Sequence, residues 1–533
     1  MTVYAPEEFT AEESEILRRY FTNLDGPVFA LVNLPEVVKG ALFARYSRTH
    51  KSLRRLFLDE FVGDLDIAGD QSVDATIGLE RAEELYEKVF FEYGDDSVAQ
   101  LGGVHLACEQ ASNILTKILE WGRLASYLEQ STRYIAYDAR LAGRYRFYRD
   151  PEVLTSRFGT RYVGDLDRMF DSYSVLMEKV TEHIRATVKR DPADSDFVFR
   201  MATRAKALDA VRGVLPAASL SNVGIYGSGQ AYESMLIRMR AHPLPEARQY
   251  ADLMLEELRK VIPSFLRRVD LADRGGRWSD YLSDTRQNTQ EVVRGLFDET
   301  PVDHSAAVVL TDFDPDGEDK LIAAICYSQT SLPETQIMQR VQRLGHDEKV
   351  AILKSYIGDR ENRRHRPGRA FERIDYRFDV LSDYGAFRDM QRHRLLTIEW
   401  QPLSANHGYI RPDLIDEAGM TLVFDEVMNR SAALYDDLKP EFPQQATYAV
   451  SMAYRVRYVM QFNAREAMHM LELRSSPQGH PAYRRVAIEM HRLIGEQAGH
   501  KAVAEAMTHL TTEEPELERL AAERRAEAKR GGK

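Results

Sequence analysis

A chain of 533 residues exceeds what one hydrophobic core organises, so two or more domains are expected. Hydrophobic residues make up 44% and charged residues 29%; no apolar run reaches membrane-spanning length, and the acidic opening MTVYAPEEFTAEESE has no apolar signal core, which implies a cytoplasmic protein without a membrane partner. The formal net charge of −12 argues against a nucleic-acid coat, and two distant cysteines, Cys108 and Cys326, argue against a disulfide framework or a zinc site, so arginine clusters stand out as small-anion sites.

In chain order, Thr10-Ala-Glu-Glu13 reads as a capping box opening a helix to about Phe21. VFALVN (28–33) reads as a strand. Val104–Trp121 has apolar residues every four positions (Ala107, Ala111, Leu115, Leu119) and is expected to be helical, with His105 and Glu109 one turn apart and no third metal ligand in sight. YGSG (226–229) lacks the Lys-Ser/Thr of a P-loop and reads as a plain turn. AAVVLTDF (306–313) and RIDYRFDV (373–380) are expected strands. Met452–Leu473 is expected to be one long amphipathic helix, which would put Asn463 and Arg474 on one face about 16 Å apart. The tail from residue 511 is charged throughout and reads as a solvated or frayed helix with no chemistry. Cys108 and Cys326 sit in apolar runs as buried structural residues.

The sequence repeats internally. ALFARYSRT (41–49) recurs as LIAAICYSQT (321–330), WGRLASYLEQSTRY (121–134) aligns with the stretch centred on Arg394, and AHPLPEARQYA (241–251) pairs with GHPAYRRVA (479–487), all in the same order. The expected fold is therefore α+β in two tandem homologous domains, each a mainly antiparallel sheet packed with long helices: residues 1–296 and 297–510, followed by the tail 511–533. The join falls in FDETPVDHSA (297–306).

Three stretches carry candidate chemistry. Residues 121–134 combine Arg123, Ser126, Glu129, Ser131, Arg133 and Tyr134, a compact donor–acceptor set, and AVRGVLP (210–216) adds Arg212. Arg-His-Arg occurs at 364–366 and at 392–394; arginine forks bind phosphates or heterocycle edges, although alone the motif also reads as a surface salt-bridge cluster. QFNAREAMHMLELRSSPQ (461–478) presents polar groups on two faces, as an interfacial helix or one inserted between ligand-bearing surfaces.

These residues resemble the flavin-dependent thymidylate synthases, whose signature is R-H-R-x-x-S-x-N-E-x-S-x-R-Y. In the first copy Arg123, Ser126, Glu129, Ser131, Arg133 and Tyr134 match, while Trp121, Gly122 and Leu128 depart from it. In the second copy Arg392, His393 and Arg394 match and Thr397 is similar, while Trp400, Pro402 and Ser404 stand where the rest is lost. NAREAMHMLELR resembles the family's N-x-R…L-x-L-R segment. The resemblance implies reductive methylation of dUMP to dTMP with FAD, NADPH and methylenetetrahydrofolate. It implies a substrate side of Glu129, Gln130, Ser131, Thr132, Arg133 and Arg212, with Arg392 also near the nucleotide. It implies a flavin side of Arg392, His393, Arg394, Asn463, Arg465 and His469, and Arg474 facing the uracil edge in the catalytic role. No metal is implied. The first copy has Gly229 in the flavin segment and Arg240 in the place of the last arginine, and Asp389 replaces a usual glutamine near the pyrimidine. Each copy thus keeps largely one side of a site, which implies one complete composite site between the halves and a homodimer that rebuilds a tetramer-like assembly. A flavoenzyme acting on another pyrimidine nucleotide and a non-catalytic nucleotide- or flavin-binding homologue are the alternatives.

Overall fold

The structure is a computed structural model that describes residues 7–25, 31–36, 38, 39, 42, 52–62, 100, 102–140, 143–297, 300–302 and 305–531. Half of the expected strand 28–33 and most of the repeat segment 41–49 lie outside those residues, as do parts of the join. The first helix, α1 (Ala11–Tyr20), opens on the expected capping box: the Thr10 hydroxyl accepts from the Glu13 amide at 3.1 Å and the Glu13 carboxylate accepts from the Thr10 amide at 2.9 Å.

The repeat is visible as repeated topology. In the first copy, β1 (Gly103–Ser112) runs into helix α2 (Asn113–Leu119) and then β2 (Ala125–Glu129). Two long helices follow, α3 (Gly159–Thr187) and α4 (Asp196–Val211), then β3 (Leu220–Ser228), α5 (Gly229–Arg240) and α6 (Pro245–Arg259). The second copy has β4 (Val308–Phe313), β5 (Asp375–Asp383), α7 (Tyr384–Met390), β6 (Thr397–Trp400), α8 (Thr421–Leu438), β7 (Arg455–Asn463), α9 (Ala464–Arg474) and α10 (Pro481–Glu496). The sheets are ordered β1-β3-β2 and β4-β5-β7-β6, so the three shared strands keep one order in both copies. The pairs β2/β3, β4/β5, β5/β7 and β6/β7 are antiparallel. The α+β class and the two-copy organisation hold, and both strands expected in the second half are present. Among the described residues no helix is long and apolar enough to cross a membrane.

Two expected helices are corrected in their first halves, while Asn113–Leu119 and Ala464–Arg474 are helical as expected. Residues 103–112 form a strand, so His105 and Glu109 are not a helical pair. Gln110 adopts φ 55°, which breaks the strand's alternation and leaves Val104, Cys108 and Ala111 buried at intervals of four and three, a helical imitation. Residues 455–463 also form a strand, with Val456, Tyr458, Met460 and Phe462 buried in strict alternation. Buried positions every fourth residue satisfy both a period of 2 and one near 3.6, and here the aromatic and β-branched residues between them select the strand. Asn463 consequently ends the strand and caps α9, so it does not share a helical face with Arg474. Cys108 is buried as expected, whereas Cys326 is only half-buried.

Compact packing does not follow the repeat boundary. One unit comprises Met1–Glu109, Ile118–Glu129 and Asn222–Thr300; the other comprises Gln110–Lys117, Gln130–Ser221 and Pro301–Lys533. In the first, α5 packs on α6, with Tyr232, Leu236, Ala247 and Leu258 fully buried. The second joins the first copy's α3 and α4 to the second copy. Helix α3 packs on α8 and buries Leu166, Met169, Phe170 and Tyr173, side chains that each contribute about 1.5–3 kcal/mol when removed from water. Residues 213–218 of one copy pair antiparallel with 448–453 of the other: the amides of Ala217 and Ala218 donate to the carbonyls of Val450 and Tyr448, and those of Met452 and Ala453 to Leu215 and Gly213. A Cβ at Gly213 would stand 3.1 Å from that of Ala453, so this approach uses the missing side chain.

The tail is also corrected. Helix α11 (Leu520–Gly531) packs on α4, Leu517 and Arg519 are buried, and Arg524 pairs with Asp194 at 2.8 Å.

Candidate active site

The cross-copy pairing brings the C-terminal end of α4 toward α7. Arg212 follows α4, and its Nη1 donates to Asp389 Oδ2 at 3.2 Å; its Nη2 is buried with no hydrogen-bond partner. Arg474, the last residue of α9, places Nη1 4.0 Å from Asp389 Oδ1. Burial opposes ionisation of Asp389, but the charges of Arg212, Arg392, Arg474 and Arg133 outweigh it and hold the carboxyl well below its ordinary range. A buried carboxylate therefore sits at the centre of four arginines, two from each copy.

The loop after β2 presents Arg133 as expected, but its guanidinium is already engaged. Nε and Nη2 donate to the two oxygens of Asp209 at 2.8 and 2.6 Å, and Nη1 donates to the Tyr483 hydroxyl at 2.7 Å. This is a bidentate fork, the strong form of an arginine–carboxylate pair. Ser131 Oγ accepts from the Arg133 amide at 3.2 Å and so shapes the loop. Thr132 is buried, Gln130 is half-buried and its carbonyl accepts from Ser221 Oγ at 3.3 Å, and Glu129 is buried opposite Val223 in the other compact unit.

His393 lies in the turn between α7 and β6. Arg474 Nε can only donate, and it does so to His393 Nε2 at 3.0 Å. That assigns the proton to Nδ1, which faces Glu466 Oε1 at 3.0 Å. Burial, together with the charges of Arg474, His469, Arg394 and Arg366, depresses His393 well below its ordinary value and keeps it neutral. Burial pushes Glu466 up to about 7 against the pull of Arg366 and Arg465. His469 stands beside His393 with ring centroids 5.5 Å apart and is lowered to about 4 by burial and by Arg366, Arg363 and Arg474. Ligand atoms of His393, Glu466 and His469 lie within 4.8 Å of one another. The set suits a metal poorly: both ring nitrogens of His393 are engaged, and the surrounding charges are cationic.

The other two expected flavin-side residues serve different partners. Asn463 caps α9 by accepting from the Glu466 amide at 2.9 Å, and Arg465 donates to the Pro367 carbonyl at 3.0 Å and pairs with Glu372. Asp209, Glu466 and Tyr483 were not singled out in the sequence. Their signal was only proximity to arginine motifs: Asp209 three residues before Arg212, and Glu466 beside Arg465. Tyr483 lies under both Arg133 and Arg474, 5.6 and 5.3 Å from the ring centroid.

The caps also refine the internal alignment. Asn463 caps α9 as Ser228 caps α5, which pairs Ser228 rather than Gly229 with Asn463 and puts Met239 opposite Arg474. Arg240 lies one residue on and pairs with Asp252 at 2.8 Å. In the first copy Trp121 occupies the first arginine position, and Arg238 stacks over its ring at 4.7 Å.

Asp209 and Asp389 give the site an acid-sensitive core. For Asp209 burial again opposes ionisation, and Arg133, His480 and Arg519 overcome it and keep the carboxyl below its ordinary 3.8. A depressed carboxylate contributes stability above its unfolded value and loses that contribution as pH falls toward the folded one. Denaturant midpoints should hold above about pH 4 and then decline steeply, and Asp389→Asn should flatten the decline. A profile identical in the variant would remove Asp389 from this account.

These features define a duplicated α+β protein with a buried arginine–carboxylate cluster built from both copies. The family described as thymidylate synthase complementing protein, which is flavin-dependent, matches residues 44–264 and 308–498, and the chain belongs to it as a tandem two-copy member. A UPF0159 protein of Chlamydia pneumoniae is 39% identical over 496 residues, covering 92% of this chain and 93% of that protein. A UPF0159 protein of Chlamydia muridarum is 37% identical over 98% of this chain and 99% of its own length, and one of Thermoplasma acidophilum is 31% identical over 93% and 99%.

Proposed function

We propose that the chain catalyses FAD-dependent reductive methylation of dUMP to dTMP, with methylenetetrahydrofolate as carbon donor and NADPH as reductant. The observation that carries this reading is the meeting of Arg133 and Arg212 from one copy with His393 and Arg474 from the other around Asp389. Arg212 supplies the unpartnered buried Nη2 for the nucleotide phosphate, with Arg133 held beside it by Asp209. Arg474, its Nε fixed on His393, presents its remaining donors to the pyrimidine edge, where a fixed cation stabilises negative charge developing on the ring. The cationic group of Arg366, Arg394 and Arg465, with neutral His469 beside it, fits the diphosphate of FAD, which when bound supplies the hydride. A homodimer with a tetramer-like arrangement of copies is part of the proposal.

Asp389 favours a second reading. An ionised carboxylate accepts from an exocyclic amino group, as in cytosine, and has no donor for a uracil oxygen. The test is anaerobic incubation of the purified protein with methylenetetrahydrofolate, NADPH, FAD and either dUMP or dCMP, followed by mass spectrometry. Methylated product from dUMP that requires every component supports the first reading, and product from dCMP alone moves the assignment to the second. No product from either sinks the catalytic proposal.

A further inference from the structure

The segment after residue 510 lies beyond both family-matched stretches, yet it reaches the centre of the site. Arg484 donates to the Glu513 carbonyl, Leu517 is buried, and Glu518 pairs with Lys206 of α4 at 3.1 Å. Glu514, Pro515 and Glu518 form one wall of a cavity of about 360 Å³ whose other walls include Asp209, Arg212 and His480. Beyond this point α11 runs along α4, with Glu527 meeting Ser195 at the cap of that helix.

Arg519 of this segment touches the loop that carries Arg133. It is 5% exposed, too buried for an ordinary surface arginine. Its Nη1 donates to the Arg133 carbonyl at 2.8 Å, its Nη2 lies 3.5 Å from Asp209 Oδ1, and its guanidinium carbon stands 4.1 Å above the Tyr134 ring. One side chain therefore grips the loop backbone at 133, the ring of the next residue, and the carboxylate that orients the Arg133 fork. Asp209 is left shared between two arginines, so the position of each depends on the other.

We propose that Arg519 is a positioning residue for the Ser131–Tyr134 loop and that the C-terminal segment is the strap that carries it there. The role rests on the reading that Arg133 and Arg212 face the nucleotide. Arg519 acts through Asp209 and the loop backbone; it holds Arg133 at the angle from which its neighbour Arg212 meets the phosphate. The outer part of the strap, with Arg524 on Asp191 and Asp194, anchors α11 without touching the loop.

The test compares Arg519→Ala, Arg519→Lys and Arg524→Ala in the full-length protein, by amide hydrogen exchange across residues 131–135 and by steady-state kinetics. In the parent the Tyr134 and Ile135 amides both donate to the Ser131 carbonyl at 3.2 Å, so loosening of the loop is visible as faster exchange there. Arg519→Ala is expected to accelerate that exchange and to raise the KM for dUMP about tenfold, the equivalent of losing one charge-assisted hydrogen bond, while kcat changes little. Arg519→Lys, which keeps a donor for the Arg133 carbonyl, recovers part of both. Arg524→Ala leaves both at the parent value. Unchanged exchange and KM in Arg519→Ala overturn the proposal, and so do equal shifts in Arg524→Ala, which would reduce the strap to general docking. If the parent protein turns over no dUMP, the functional reading fails, and the exchange comparison still decides whether Arg519 holds the loop.

Discussion

Replacing Asp209 by alanine is expected to destabilise the unit that holds the site by about 3–5 kcal/mol, the usual consequence of removing one partner from a buried ion pair. Asp209 is almost wholly buried and receives both prongs of the Arg133 fork, with Arg519 as a third contact. Its removal leaves two largely buried guanidinium groups without the carboxylate they share. The effect on the isolated carboxylate is smaller than the effect on the arginines it leaves behind. Arg133→Met combined with Asp209→Ala should therefore cost less than Asp209→Ala alone. Urea titration followed by tryptophan-independent far-UV signal measures both. A loss below about 1 kcal/mol in the single variant would show that Arg133 relaxes to solvent and that the fork is not a structural element.

Arg474→Ala is expected to reduce product formation by about 10²–10³, the magnitude seen when one fixed charge or donor is removed from the place where negative charge develops. Flavin binding should persist, because Arg366, Arg394 and Arg465 remain in place when Arg474 is removed. Loss of Arg474 also frees His393 Nε2, which then has no donor facing it. Arg474→Lys is not a mild change here: lysine has no counterpart of Nε, so it cannot hold His393 and face Asp389 from one rigid plane. Retained turnover in Arg474→Ala with flavin bound would remove this arginine from the mechanism, while loss of flavin in parallel would assign it to the cofactor instead.

The internal repeat, the α+β class and the division of arginine motifs between the copies were legible in the sequence because each is a property of local pattern and order. Arg133, Arg392, His393 and Arg474 stand in stretches that resemble the family's motifs, and that resemblance also nominates Arg212. Local pattern does not separate helix from strand at 455–463, where residues buried at every second position also recur at every fourth, or at 103–112, where the left-handed Gln110 breaks the strand's alternation.

What the sequence by itself determined is that this chain is a duplicated member of its family with complementary arginine sets in its two copies. Only the tertiary structure decided what those arginines face. Asp209, Asp389, Glu466 and Arg519 come from segments separated by up to 310 residues, and nothing in a local window reports which carboxylate will neutralise which guanidinium. Burial makes the pairing obligatory: a charge removed from water must meet an opposite charge or a full set of hydrogen bonds, and the folded chain alone determines which of many candidates is within 3 Å. The tail shows the same physics. Its composition is that of a solvated helix, and it becomes part of the site because Asp209 and the Arg133 carbonyl lie where Arg519 reaches them.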